Sequence, residues 1–250
     1  MPRFFVKSEQ ITDKEITIIG EDVKHIKNVL RKQTGDCIEI CNQETGKTYK
    51  CEILQLKEQE IINQIIEDIN SQEDNIKVDI YQGLPKADKM ELIIQKSVEL
   101  GVNSIIPVEM KRCVVKIDAK SENKKLDRWQ KIAESAAKQS GRCTIPEIHR
   151  IIKIEELSNQ KDEYDSIIVC YENEKETTLK SQLLQLKEQI SKKANIKIAV
   201  VIGPEGGLEE KDVEYLKQNG ANIVTLGNRI LRTETVALNI LSIIMYELEN

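Results

Sequence analysis

Two segments far apart in the chain carry residue types suited to holding and reacting a ligand. In the first, an apolar run from Ile196 to Ile202 breaks into Gly203-Pro204-Glu205-Gly206-Gly207-Leu208. Gly206 and Gly207 allow positive φ and close approach by a ligand, whereas Pro204 fixes one φ and offers no N–H. A sharp strand-to-helix turn would use the same residues. The spacing is neither G-x-G-x-x-G nor a P-loop, and no lysine follows the second glycine, so a dinucleotide fingerprint is weak here. The second segment is Leu226-Gly227-Asn228-Arg229-Ile230-Leu231-Arg232-Thr233-Glu234-Thr235. Two arginine forks beside the open N–H groups of a starting helix suit a planar base or a phosphate. Ordinary surface ion pairs are the alternative, with Thr233 or Thr235 capping the helix and Glu234 orienting Arg229 or Arg232.

The chain has 250 residues, with 37 basic and 42 acidic, for a formal net charge of -5. An acidic protein is not built for indiscriminate nucleic-acid binding, but the charge is uneven. Residues 85–142 hold 13 Lys/Arg against 8 Asp/Glu, so any polyanion belongs on this middle stretch. Helical lysines there are the normal solvent face of an amphipathic helix. Lys111, Arg112 and Arg142 lie outside the long helices and are the better RNA-contact candidates, with Lys86 at the head of the first helix.

The six cysteines form no C-x-x-C pair and the two histidines lie far apart, so no metal site is expected. With no signal peptide, reduced thiols and a cytoplasmic location are expected. No apolar run reaches the ~18 residues of a membrane helix. The nearest candidate, 236–245, is broken by Asn239 and Ser242 and reads as a buried helix.

The elements that must position these residues fall into two groups. Residues 1–72 read as a small β-barrel around one short helix at 21–30, which places Val23, Ile26, Val29 and Leu30 on one side. The strands are expected around Phe4, at 16–19, at 37–41 and at 49–56. Five polar residues at 71–75 mark the boundary. From 73 to 250 the rhythm becomes alternating strand and helix: strands at 76–81, 105–108, 166–170, 196–202 and 223–226, and helices at 87–100, 124–139, 178–189, 211–218 and 234–248. That pattern predicts an α/β fold with a mostly parallel sheet and a ligand site beyond its carboxyl edge.

These residues also carry a resemblance that runs from end to end. It is carried by Pro2-Arg3-Phe4-Phe5, His25 with Val29-Leu30-Arg31, and Gln95-Lys96-Ser97-Val98-Glu99-Leu100-Gly101-Val102. Arg112-Cys113-Val114-Val115-Lys116, Arg128-Trp129-Gln130-Lys131-Ile132, and the run Glu134-Ser135-Ala136-Ala137-Lys138-Gln139-Ser140-Gly141-Arg142 extend it, together with both loops above. The chain resembles the bacterial small-subunit ribosomal RNA uridine-N3 methyltransferases of the SPOUT, or trefoil-knot, class. Asn228, where proline is frequent, and Val236, where a smaller residue is usual, are minor departures.

The resemblance implies a PUA-like barrel for RNA and a SPOUT-type domain whose last portion threads into a deep trefoil knot, an exception to the rule against threaded connections. It implies S-adenosylmethionine as cofactor, 16S ribosomal RNA near the decoding region as substrate, and a homodimer with the last helix contributing apolar surface. Carried onto this chain, the cofactor residues are Ile202, Gly203, Pro204, Glu205, Gly206, Gly207, Leu208, Leu226, Gly227, Asn228, Ile230, Leu231, Thr235 and Ala237. RNA contacts are Arg3, His25, Arg31, Lys86, Lys111, Arg112 and Arg142. Arg232 would stabilise the reacting base, and Glu205 would accept its proton or hold the glycine loop. A knotted enzyme acting on another base or on ribose, and a non-catalytic ribosome-assembly protein, are the alternatives.

Overall fold

The computed structural model describes residues 3–69, 75–190 and 195–248. Pro2 of the N-terminal motif and residues 71–74 of the expected boundary lie outside the described residues. The chain forms two compact units, Met1–Glu73 with Ala137–Ile145, and Asp74–Ala136 with Pro146–Asn250.

In the first unit, β1 (Arg3–Val6) pairs in parallel with β3 (Cys37–Asn42). β4 (Thr48–Leu56), β5 (Glu60–Ile69) and β2 (Glu15–Ile19) continue the sheet with antiparallel pairings, giving the order β1-β3-β4-β5-β2. Alternating residues of all five strands, among them Phe4, Ile16, Ile38, Ile53 and Ile61, enter one core, so the sheet curls around it. The expected short helix is α1 (Glu21–Lys24), which continues as a π-helical turn over His25–Val29. The wider turn buries Ile26 and leaves Val29 66% exposed, so Val29 does not join the core face as its spacing predicted. β5 is absent from the sequence reading because its outer half, Gln64-Ile65-Ile66-Glu67-Asp68, has no alternation to show.

The second unit is built on seven strands: β6 (Ile76–Gly83), β7 (Ser104–Glu109), β8 (Glu147–Ile148), β9 (Ile152–Lys153), β10 (Ser166–Cys170), β11 (Ile196–Ile202) and β12 (Asn222–Val224). Their order is β12-β10-β11-β6-β7-β8, with β9 also on β7, and every pairing among the described residues is parallel. β10 and β11 are almost wholly apolar, and β6 is buried at every position but Lys77, because both faces of such a sheet are covered. The buried carboxylate of Asp79 in β6 accepts from Asn103 Nδ2 and Ser104 Oγ, both at 2.6 Å, and from the Tyr164 hydroxyl at 3.0 Å. This accounts for a charge that would otherwise be costly in the core.

The helices are α2 (Lys89–Glu99), α3 (Ala119–Ser140), α4 (Leu179–Ile190), α5 (Glu210–Gln218) and α6 (Thr233–Leu248). Gly101, at φ +96°, ends α2 as expected. α6 buries Ile240, Ile244 and Leu248 inside the protomer. These three pack on the sheet and α2, while Val236 and Ile243 of the same expected stripe remain partly exposed. No described helix is long and apolar enough to cross a membrane.

Candidate active site

The chain leaves β6 for β7 on one side, yet β11 returns to β6's other side, so the order in which strands are added reverses at β6. Ligand crevices form at such switch points, beyond the strands' carboxyl ends. A cavity of about 700 Å³ lies beyond the carboxyl ends of β10, β11 and β12, on one side of this reversal and within the ~300–1,000 Å³ usual for small-molecule sites. Its wall is made by the loops after β10, β11 and β12, which are neighbours in the sheet though distant in sequence.

Both expected loops meet in this wall. Ile202, Gly203, Pro204, Glu205, Gly206 and Gly207 line one side, and Leu226, Gly227, Asn228, Ile230, Leu231 and Arg232 another. Three expected cofactor residues are not in the lining. Leu208 and Ala237 are 1% and 0% exposed and serve as core, and exposed Thr235 lies outside the cavity. The loop 171–175 was missed. It holds no glycine or arginine signature, and only its place after a central parallel strand could have flagged it. It adds Tyr171, Glu172, Glu174 and Lys175, while Cys170 forms a wall whose thiol burial pushes up to about 12.

The glycine loop is held from several directions. The Gly207 N–H donates to Pro204 O at 2.9 Å, closing the turn at φ +71°. Arg112 Nη1 donates to Gly206 O at 3.1 Å. A side chain on Gly206 would meet Arg112 Cβ at 3.0 Å, so the close approach that glycine permits there is by Arg112. Arg112 therefore shapes the loop while its side chain stays exposed on the surface. On the far side, Gly83 at the end of β6 abuts Pro204.

Thr233 was expected to cap α6. Its hydroxyl instead donates to Gly203 O at 2.7 Å and accepts from Gln82 Nε2 at 2.9 Å, joining β6, the glycine loop and α6 in one buried chain. Glu234 was expected to orient an arginine. Lys89 Nζ takes it at 3.1 Å and reaches Glu205 at 3.1 Å as well, so one ammonium bridges the two loops. Among the described residues neither Arg229 nor Arg232 makes an ion pair, and both side chains stand exposed in the cavity wall.

Glu205 also accepts the Lys86 backbone N–H at 3.0 Å. Burial pushes its carboxyl up, but that N–H, its own N–H and the Lys89 ammonium together hold it below the usual carboxylate range. Burial likewise raises Glu234, and its own N–H, Lys89 and the nearby charge of Arg232 more than offset it. Both groups are anions near neutral pH and weak bases, so Glu205 fits the role of holding the loop better than that of proton acceptor.

The expected RNA residues fall in different units. Lys86, Lys111 and Arg112 belong to the second, and Arg3, His25, Arg31 and Arg142 to the first. Lys111 pairs with Glu209 at 2.9 Å. Arg3, part-buried, donates Nε and Nη2 to Glu39 and Nη1 to Cys143 Sγ. His25 is exposed and packs edge-on to Phe4, and Arg31 is exposed at φ +50°. Among the described residues no group of metal-ligating side chains occurs.

The cavity suits S-adenosylmethionine. A side chain added to Gly227, at φ +106°, would meet nothing within 4 Å, so that part of the lining is open to a ligand. Ile202, Leu226, Leu231 and Val236 would supply apolar wall for a purine, and the negative charge of Glu172, Glu174 and Glu205 would favour a cationic ligand.

Comparison with known proteins gives the same picture. A model of the RNA methyltransferase domain matches residues 72–245, and one of the RNA methyltransferase PUA domain matches 18–66. The chain is 40% identical over 253 residues to Ribosomal RNA small subunit methyltransferase E of Bacillus subtilis (strain 168), covering 100% of this chain and 98% of that protein. It is 31% identical over 247 residues to the protein of the same name in Mesomycoplasma hyopneumoniae (strain 232), covering 97% and 98%. The crystal structure of Ribosomal RNA small subunit methyltransferase E from Neisseria gonorrhoeae bound to S-adenosyl methionine superposes with a TM-score of 0.80 at 30% identity, covering 98% and 97%.

Proposed function

The chain belongs to the ribosomal RNA small subunit methyltransferase E family, and on that premise we propose that it methylates N3 of one uridine in 16S ribosomal RNA, near the decoding region. The methyl donor is S-adenosylmethionine. The observation that carries this reading is the convergence of the glycine loop and the arginine loop on one cavity, with an unpaired Arg232 in its wall. When bound, S-adenosylmethionine supplies a methyl group on a positively charged sulfur that departs as a neutral thioether.

The residues divide the remaining work. Backbone groups of 202–207 and 226–231 hold the cofactor. Uridine N3 is a strong nucleophile only once its proton is lost, and the charge then spreads onto O2 and O4. Arg232 presents a fixed fork to that edge, favouring the anion at a preorganised site. N3 loses its proton to bulk solvent before transfer, with no dedicated side-chain base, since Glu205 and Glu234 are already engaged by Lys89 and Glu205 by the Lys86 N–H. Lys86, Arg31 and Arg142 contact RNA backbone, and residues 1–72 act as the RNA-binding domain beside a catalytic domain at 73–250. The knot and the homodimer belong to the same proposal.

Single-turnover methylation of undermethylated small subunits tests the division of labour. Arg232→Ala should slow transfer by about 10²–10³-fold, with S-adenosylmethionine affinity nearly retained. Glu205→Gln should give a smaller defect with the wild-type pH profile. Wild-type transfer by Arg232→Ala across the pH range would remove Arg232 from the mechanism, and a titration lost in Glu205→Gln would make Glu205 the base.

A further inference from the structure

The first unit contains a thiol pair that RNA methylation does not use. Cys41, on β3, faces Thr48 on β4 as its cross-strand partner. Its Sγ lies 3.3 Å from Thr48 Oγ1, and the same hydroxyl donates to Cys143 Sγ at 3.2 Å. Cys143 comes from the segment Ala137–Ile145, which belongs to the same unit. Arg3 Nη1 donates to the Cys143 sulfur at 3.6 Å, while Glu39 grips the other end of that guanidinium at 2.6 Å. Cys143 is half-buried and open to solvent, whereas Cys41 is fully buried. Two sulfurs share one hydroxyl, and a fixed cation points at the one that solvent reaches.

We propose that Cys143 and Cys41 form a peroxide-reactive site that closes into a reversible disulfide. Hydrogen bonding from Cys41, helped by Thr48 and Arg3, holds the Cys143 thiol below its usual range against burial. The same pairing, together with burial, pushes Cys41 up. Cys143 is thus the thiolate and Cys41 the protonated partner, because the guanidinium addresses Cys143.

The chemistry balances with a hydroperoxide as oxidant. The Cys143 thiolate attacks the terminal peroxide oxygen, forming S–O and breaking O–O, and the released alkoxide or hydroxide takes up a proton. Cys41 sulfur then attacks the sulfenic acid, forming S–S and breaking S–O. Water leaves with the Cys41 proton. Two thiols lose two electrons, the peroxide gains them, and a dithiol reductant reverses the step. The product ties the segment Ala137–Ile145 covalently to β3.

The test uses the full chain, hydrogen peroxide and peptide mapping. Iodoacetamide at neutral pH should label Cys143 at least about tenfold faster than half-buried Cys37. Stoichiometric peroxide should yield a Cys41–Cys143 linked peptide that dithiothreitol removes. In Cys41→Ser the reaction should stop at a Cys143 sulfenic acid trapped by dimedone. Arg3→Gln should slow labelling by about tenfold. Thr48→Val, which keeps the shape and removes the hydroxyl, should slow it in the same direction if Arg3→Gln fails to fold. Labelling of Cys143 no faster than Cys37, no linked peptide, or unchanged rates in the folded variants would overturn the proposal.

Discussion

A methyl group added to Gly83 would lie 2.7 Å from both Cδ and N of Pro204, closer than real contacts allow. Neither partner can yield: Gly83 is fixed by the β6 ladder, and Pro204 heads a loop closed by the Gly207–Pro204 hydrogen bond. Gly83→Ala should therefore move the loop, costing about 1–3 kcal/mol of stability, and should weaken S-adenosylmethionine binding by titration calorimetry. Unchanged affinity and melting temperature would show that the loop tolerates displacement. The residue scale is also where the sequence is least legible. Gly206 and Gly207 stand out because they are adjacent, whereas Gly83 ends an ordinary strand and shows its purpose only once Pro204 is against it. Arg112 reads as a surface cation until its bond to Gly206 O is seen.

At the scale of elements, the site is a set of strand ends locked together by Lys89 and Thr233. The strands were legible because a parallel sheet demands unbroken apolar runs: 166–170 and 196–202 coincide with β10 and β11. Their order in the sheet is not carried by any run, so the loop after β10 went unnoticed. Thr233 likewise looks like a helix cap because its non-local partners, Gln82 and Gly203, cannot be read from local spacing. The Lys89 bridge has a pH signature. Glu205 is depressed below its ordinary 4.5 in the folded state, so its stabilising contribution is complete above the unfolded value and is lost as pH falls through the folded one. The melting-temperature difference between wild type and Glu205→Gln should hold near neutrality and shrink below about pH 4.5. A difference that stays constant down to acid unfolding would mean the carboxylate's charge contributes nothing there.

For the whole molecule, the proposed homodimer needs apolar surface that the protomer leaves uncovered. Ile240, Ile244 and Leu248 are unavailable, but Ile230, in the arginine loop, is 88% exposed. A large aliphatic side chain that open is unusual beside a reactive cavity, and a partner covering it would also exclude water from Arg232. Obligate dimers bury ~2,000–5,000 Å². Sedimentation at micromolar concentration should show a dimer that Ile230→Asp weakens, and a fully active wild-type monomer would reject it.

The central claim concerns where the methyl group goes. Small subunits from cells lacking the modification, incubated with the enzyme and isotopically labelled S-adenosylmethionine, can be digested to nucleosides and resolved by liquid chromatography and mass spectrometry. All label should co-elute with 3-methyluridine, in one fragment of 16S ribosomal RNA. Label in a 2′-O-methyl nucleoside or another methylated base, or no transfer despite cofactor binding, would contradict the account.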